Sequence, residues 1–497
     1  MKDNNQKHRI APLLLSVMLI IMGILLASLY CNDGHFFYTL DDPYIHLALA
    51  EHIAHGHYGL NEGEFASPSS TILWPFLLVP WVGLSWGYMV PLGINSIACL
   101  LTVTLLQRSL QHVYKNQASR LAIATIFLTG SVGVVFTGME HSLQIVLAVA
   151  IVSALIDLTE ERPLPGWLEP ALILAPLVRY EMLSISLGAI GLLCLHRRYH
   201  YLFCAIAIAF LLGGFSYYLW LHTGRLLPDS VIAKLAMDSN PLNVFPMVVA
   251  MVLTAGLIIH LRKQSRRLWL CFYMLLVLLA QVLLGKCGWF SRYEVYAFIS
   301  AVLVLVYYAP IAGGQKLMKR PADTLFVICS VVMVTFMYTW TTISIPAATR
   351  DIYSQQVQMR RLLDDSHFDR VAVNDIGYIS FHNRDYVLDL WGLGKFEIWN
   401  MRNGHKSGWL KIVSDHDINL VMINHDWFLP PIIPENWILM GTLTRKMSPF
   451  FLNPLGSSTV DIYATTPAAA KLLTPVIDRW RQGLPSRSIW YPNSKQL

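Results

Sequence analysis

Apolar runs of 15 to 22 residues recur between Ile10 and Trp340, and such runs cannot all be buried in one soluble core. They suit helices that cross about 30 Å of hydrocarbon, where every backbone polar group must find its partner within the helix. Composition agrees: 55% of the chain is hydrophobic and 14% charged. The expected fold class is therefore mainly α, a polytopic helical membrane protein. The first run, Ile10 to Tyr30, follows Lys2, Lys7 and Arg9 as a signal peptide would. Its length and the lack of a small-residue cleavage site make it an uncleaved first helix, with a cytoplasmic N-terminus set by the basic flank.

Charge placement orients the remaining helices. The N-terminus and the segments 108–120, 157–166, 196–200, 262–267 and 313–320 carry 16 Lys and Arg, whereas the intervening segments before residue 343 carry 5. Basic residues stay on the cytoplasmic side. Both Ile72 to Leu84 and Met89 to Leu106 are apolar, yet if both crossed, the basic segment 108–120 would face outward. The stretch from Ser70 to Leu84, interrupted by Pro75 and Pro80, is therefore expected to be re-entrant or interfacial. About eleven crossings follow, making 1–342 a membrane domain and 343–497 an extracytoplasmic one. In the latter, helical spacing over Ile352 to Leu363 precedes short apolar runs at Val371–Val373, Tyr386–Leu388 and Leu420–Ile423, the pattern of a small α/β domain. All seven Cys precede residue 330, so that domain has no disulfide framework.

Between Cys31 and Gln107 there is no Lys or Arg, while Asp33, Asp41, Asp42, Glu51, Glu62 and Glu64 crowd its first half. Carboxylates without basic partners beside a bilayer usually serve a function. Asp42 before Pro43 reads as a helix N-cap, and Ile45, Leu49 and Ile53 form an apolar stripe, predicting an amphipathic helix over 43–54 on the outer membrane surface. Asp41, outside that cap, is freer for chemistry. His46, His52, His55 and His57 are not spaced to put three ligands on one face. Charged pairs also mark the outer hairpins: Glu140-His141, Arg179 with Glu181, Pro228-Asp229 with Lys234, and Arg292-Tyr293-Glu294. One such pair is as well explained by snorkelling. Four on the side of an unpaired acidic pair favour a shared polar cavity.

The segments DDPYIHLALAEHIAHGHYGLNEGEFASPSSTILWPFLL, TGMEHSLQ, LVRYEML, LLPDSVIAK, FSRYEVYAF, and VAVNDIGYISF with VLDLWGL, in this order, resemble the GT-C membrane glycosyltransferases. The similarity is greatest to the bacterial branch that uses polyprenyl-phosphate sugars, including terminal arabinofuranosyltransferases, and more distant to protein mannosyltransferases. It implies that Asp41 is the catalytic base with Asp42 beside it. It further implies that Glu140, His141, Arg179, Glu181, Lys234, Arg292 and Tyr293 bind substrate. Where the family commonly has Glu-Thr, Arg-Pro-Glu and Pro-Asn, this chain has Glu140-His141, Arg179-Tyr180-Glu181 and Pro228-Asp229, which leaves the sugar open.

The implied reaction is inverting transfer from a polyprenyl-phosphate sugar donor to a glycan, lipid or protein acceptor at the outer face of a bacterial cytoplasmic membrane. One carboxylate suffices as base because the donor carries its own leaving group; Arg179, Lys234 and Arg292 are the cations available to the departing phosphate. No cofactor is assigned, and a divalent cation shared by Asp41 and Asp42 is left open. An oligosaccharide ligase is the alternative enzyme. A lipid or glycan transporter is the alternative class, disfavoured because the charges cluster at one face and not at the midplane. Nucleic acid is not an expected partner, since the net charge of +6 is mostly the cytoplasmic bias.

Overall fold

A computed structural model of the chain describes residues 2–235, 241–312, 321–403, 410–428, 433–452 and 455–493. Among these, six helices are long and apolar enough to cross a membrane, or seven if the bent pair Val327–Ile343 and Ile345–Ser366 is one span. Shorter apolar helices cover Leu168–Val178, Tyr180–Leu195 and Val295–Pro310. The protein is a multi-pass membrane protein. The count of about eleven crossings rests on the sequence pattern, because the short helices fall below the ~20 residues of a straight crossing. Within 70–84 the chain forms only the helix Leu73–Leu78 and a 3-10 turn, Val79–Trp81. At about 1.5 Å per residue this piece is too short to span.

Helix ends sort by charge. Arg108 and Arg162 meet Asp157 at 2.8 and 2.7 Å, and Arg267 meets Glu160 at 2.8 Å. All lie in or beside the basic segments assigned to the cytoplasm. At the opposite helix ends the acidic loop and the other charged hairpins come together.

After the helices Ile345–Ser354 and Gln356–Ser366 comes a six-stranded sheet: β1 Arg370–Val373, β2 Tyr386–Asp389, β3 Leu420–Asn424, β4 Ile438–Arg445, β5 Thr459–Ala464 and β6 Ser488–Pro492. The order is β2-β1-β3-β5-β4-β6. β1 pairs in parallel with β2 and β3, and the other neighbours are antiparallel. The three predicted strands are the parallel half, buried on both faces and hence continuous in hydrophobicity. The antiparallel half alternates with polar residues and was not anticipated.

The helix of the acidic loop departs from expectation in two ways. It runs Asp42–Ala54, so Asp41 occupies the cap position and makes no side-chain capping bond, and Asp42 does not cap. Nor does it leave one face open, since Pro43 to Ala50 are all buried. Tyr44, Leu47 and Ala50 pack into the core of the membrane helices, while Ile45, Ala48 and Leu49 pack into the core of the sheet. One apolar stripe suffices for an interface helix; this one has two because it is sandwiched between two domains.

Candidate active site

Asp41 and Asp42 are adjacent but serve different partners. The Asp41 carboxylate accepts the backbone N–H of Gly377 through Oδ2 at 2.7 Å and that of Tyr378 through Oδ1 at 2.8 Å. Those amides open the short helix Gly377–Ser380, so the first loop is tied to the sheet domain through the first residue of its acidic pair. Contact is close enough that a Cβ on Gly377 would overlap the Asp41 carbonyl. Asn61 clamps the same domain by exchanging two hydrogen bonds with the Val387 backbone, at 2.8 and 2.9 Å. Asp42 instead faces Arg292, with Oδ2 2.5 Å from Nη2.

Arg292 follows three consecutive non-glycine residues with positive φ, Trp289, Phe290 and Ser291, a conformation that costs energy and often marks function. Its side chain is 1% exposed. Nη2 donates to Asp42 and to the Tyr293 hydroxyl, at 2.5 and 2.8 Å, while Nε and Nη1 have no partner among the described residues. The guanidinium carbon lies 4.8 Å from the centroid of Tyr293, and that of Arg179 lies 5.4 Å from the same ring. Arg179 is in turn held by Glu140 at 2.7 Å and by both oxygens of Glu181, at 2.7 and 3.1 Å. His141 meets the Tyr293 ring edge-on at 5.5 Å and pairs with Gln144. Asp42, Arg292, Tyr293, Arg179, Glu140, Glu181 and His141 thus form one network.

A cavity of about 320 Å³ is lined by Asp41, Asp42, Arg292, Tyr293, Lys234 and, from the sheet domain, Asp375. Next to it, a larger and mainly apolar groove of about 500 Å³ runs between membrane helices, lined by Leu183, Leu227, Leu235, Leu283 and Leu284. Lys234, Lys286 and Tyr293 border both spaces. Arg179 and Glu181 face the apolar groove; Glu140 and His141 line neither space and act behind Arg179 and Tyr293. Asp229 is a joint: its carboxylate holds Arg225 and accepts the N–H of Phe396 at 3.2 Å. Lys286, Asn243, Trp289, Trp391 and Trp427 also line the cavity and were not singled out from sequence. Lys286 was visible among the few outward basic residues, and Trp391 sits within the VLDLWGL segment.

Burial, and then the charge of Asp375, raise the pKa of Asp41 far above the carboxylate range, against the opposing pull of its two amide bonds. Burial also works to raise Asp42, but the Arg292 guanidinium and the Lys234 ammonium overcome it and hold Asp42 well below that range. One carboxylate is strongly basic and the other is a fixed anion. Each Asp41 oxygen accepts one amide and Asp42 Oδ2 accepts one guanidinium nitrogen, and among the described residues no group of three or more His, Cys, Asp or Glu is arranged to hold a metal ion.

Residues 349–463 match the profile of a domain of unknown function (DUF8728). No curated protein matches the chain. Among solved structures, ArnT from Cupriavidus metallidurans bound to undecaprenyl phosphate is similar at 10% identity and a TM-score of 0.49, over 91% of this chain and 98% of that one. The oligosaccharyltransferase AglB from Archaeoglobus fulgidus, in complex with an inhibitory peptide and a dolichol-phosphate, is similar at 9% identity and 0.41, over 96% and 76%. The apo form of the Archaeoglobus fulgidus oligosaccharyltransferase gives 11% and 0.42, over 95% and 76%.

Proposed function

We propose that this chain is an inverting glycosyltransferase of the GT-C type that moves a sugar from a polyprenyl-phosphate donor to an acceptor on the outer face of the membrane. The observation that carries this reading is Arg292, a buried guanidinium with two nitrogens, Nε and Nη1, unpartnered among the described residues, in the wall of a cavity that adjoins an apolar groove. Leaving a buried cation's donors unpaired is costly, and a phosphate satisfies them with charge-assisted bonds. The groove provides an apolar bed for a lipid chain attached to that phosphate. The ordered sequence motifs point the same way.

In this scheme the lipid lies between the helices, and its phosphate meets Arg292 with Lys234 and Lys286 beside it. Asp41 takes the proton of the acceptor hydroxyl as that oxygen bonds to the anomeric carbon. The bond from that carbon to the phosphate oxygen breaks, and the electron pair leaves with polyprenyl phosphate, whose added charge the cations neutralise. Asp42 holds the Arg292 fork in place and is too weakly basic to be the proton acceptor.

Transfer from synthetic polyprenyl-phosphate sugars by the purified protein tests this. Asp41→Asn should lower turnover by roughly 100-fold or more while donor binding is retained. Full activity of that variant would remove Asp41 as base and leave Asp375 as the nearest candidate.

A further inference from the structure

The sheet domain supplies one wall of the cavity. β1 lies between β2 and β3 and is parallel to both. Open sheets of this kind bind ligands beyond the carboxyl ends of the strands, where the strand order reverses. Here Asn374 and Asp375 follow β1, Trp391 follows β2 and Trp427 follows β3, and all four line the cavity.

The two indoles are partly exposed, with centroids 4.3 Å apart and planes inclined at 44°. Both are rigidly mounted. The Asp389 carboxylate accepts the N–H groups of Trp391, Gly392 and Gly394 at 2.9, 2.8 and 2.8 Å. Gly392 has φ +81°, and a Cβ there would overlap Trp399. The Arg402 guanidinium carbon lies 3.4 Å from the Trp391 ring centroid. Trp427 is seated against Gly456, where a Cβ would overlap the indole. A second feature points to a ligand. Asn374 is 5% exposed and its Oδ1 accepts the N–H of Asn424 at 2.7 Å, yet its Nδ2 has no partner among the described residues.

A pre-organised aromatic wall bordered by an unspent amide donor and the Asp375 carboxylate matches the chemistry of a sugar ring. One face of such a ring is C–H and packs on an indole; its rim is hydroxyl and needs hydrogen bonds. The indoles line this cavity and not the apolar groove beside it, whereas Lys234, Lys286 and Tyr293, on the phosphate side, border both. We infer that Trp391, Trp427 and Asn374 form a subsite for a sugar ring of the acceptor, which is therefore a sugar-bearing molecule. Assignment of this ring to the acceptor rests on the proposed transferase activity; the sugar subsite does not.

Saturation-transfer NMR on the full chain in nanodiscs tests the subsite, with methyl α-mannoside, methyl β-galactoside and methyl α-arabinofuranoside as probes. Transfer to at least one probe is expected. It should fall roughly threefold to tenfold in Trp391→Ala and Trp427→Ala, fall less in the corresponding Phe variants, and survive saturation with undecaprenyl phosphate, which carries no sugar. Absence of transfer from the unaltered protein, or equal transfer in both Ala variants, overturns the subsite. Loss of transfer on adding undecaprenyl phosphate overturns its assignment to the acceptor. Retained binding of undecaprenyl phosphate by the Phe variants checks their folding. An unaltered protein that binds a glycoside through the tryptophans but not undecaprenyl phosphate would sink the transferase reading and leave the sugar subsite standing.

Discussion

Arg179 and Arg292 flank the same tyrosine ring, and both are buried at the loop ends of membrane helices. Their surroundings differ. Arg179 meets two glutamates that occupy Nε and both terminal nitrogens, so its charge is matched and its fork spent. Arg292 meets one aspartate through a single nitrogen and, among the described residues, leaves Nε and Nη1 without partners. A buried, saturated ion pair holds structure, whereas a buried and under-saturated one awaits an anion.

The contrast breaks most readily at the saturated arginine. Arg179→Met strands the Glu140 carboxylate, which is fully buried, and should cost about 3–5 kcal/mol. Thermal unfolding in detergent should show a large loss of stability before any assay of transfer. A variant of native stability would mean that Arg179 is not a structural anchor.

Arg292→Ala should do the reverse, with a modest effect on folding and a pronounced one on ligand. Undecaprenyl-phosphate binding, measured by calorimetry in nanodiscs, should weaken by about 1.5–3 kcal/mol. Lys restores charge but not the fork and should recover only part of the loss. Unchanged affinity in the Ala variant would erase the difference between the two arginines.

The smallest expected effect sharpens the role of Asp41. Burial and the Asp375 charge raise its pKa, and a base acts only when deprotonated, so kcat/KM should rise with pH through that raised value. Asp375→Asn removes a repelling charge, stabilises the Asp41 carboxylate and should move the acid limb to lower pH by on the order of one unit. A limb that stays in place, or moves upward, would separate Asp375 from the titration of Asp41.

Part of this site is legible in the chain. The acidic loop without a cation, the charged hairpins and the side they share follow from composition and charge, which act wherever the chain passes through a bilayer. The parallel strands β1 to β3 are legible for a similar reason: burial on both faces leaves an unbroken apolar run. The cap at Asp42 was misread because a local N-cap pattern is a weak preference, and the long-range ion pair with Arg292 outweighs it.

By itself, then, the sequence determined the solvent of this protein and the list of charged residues at one face, since hydropathy and charge are additive along a chain. The tertiary structure alone decided which of those charges are spent. Asp41 finds its amides 336 and 337 residues away, and Asp42 finds its guanidinium 250 residues away. Saturation of a buried group depends on which partners reach it in three dimensions, and residue spacing along the chain carries no record of that.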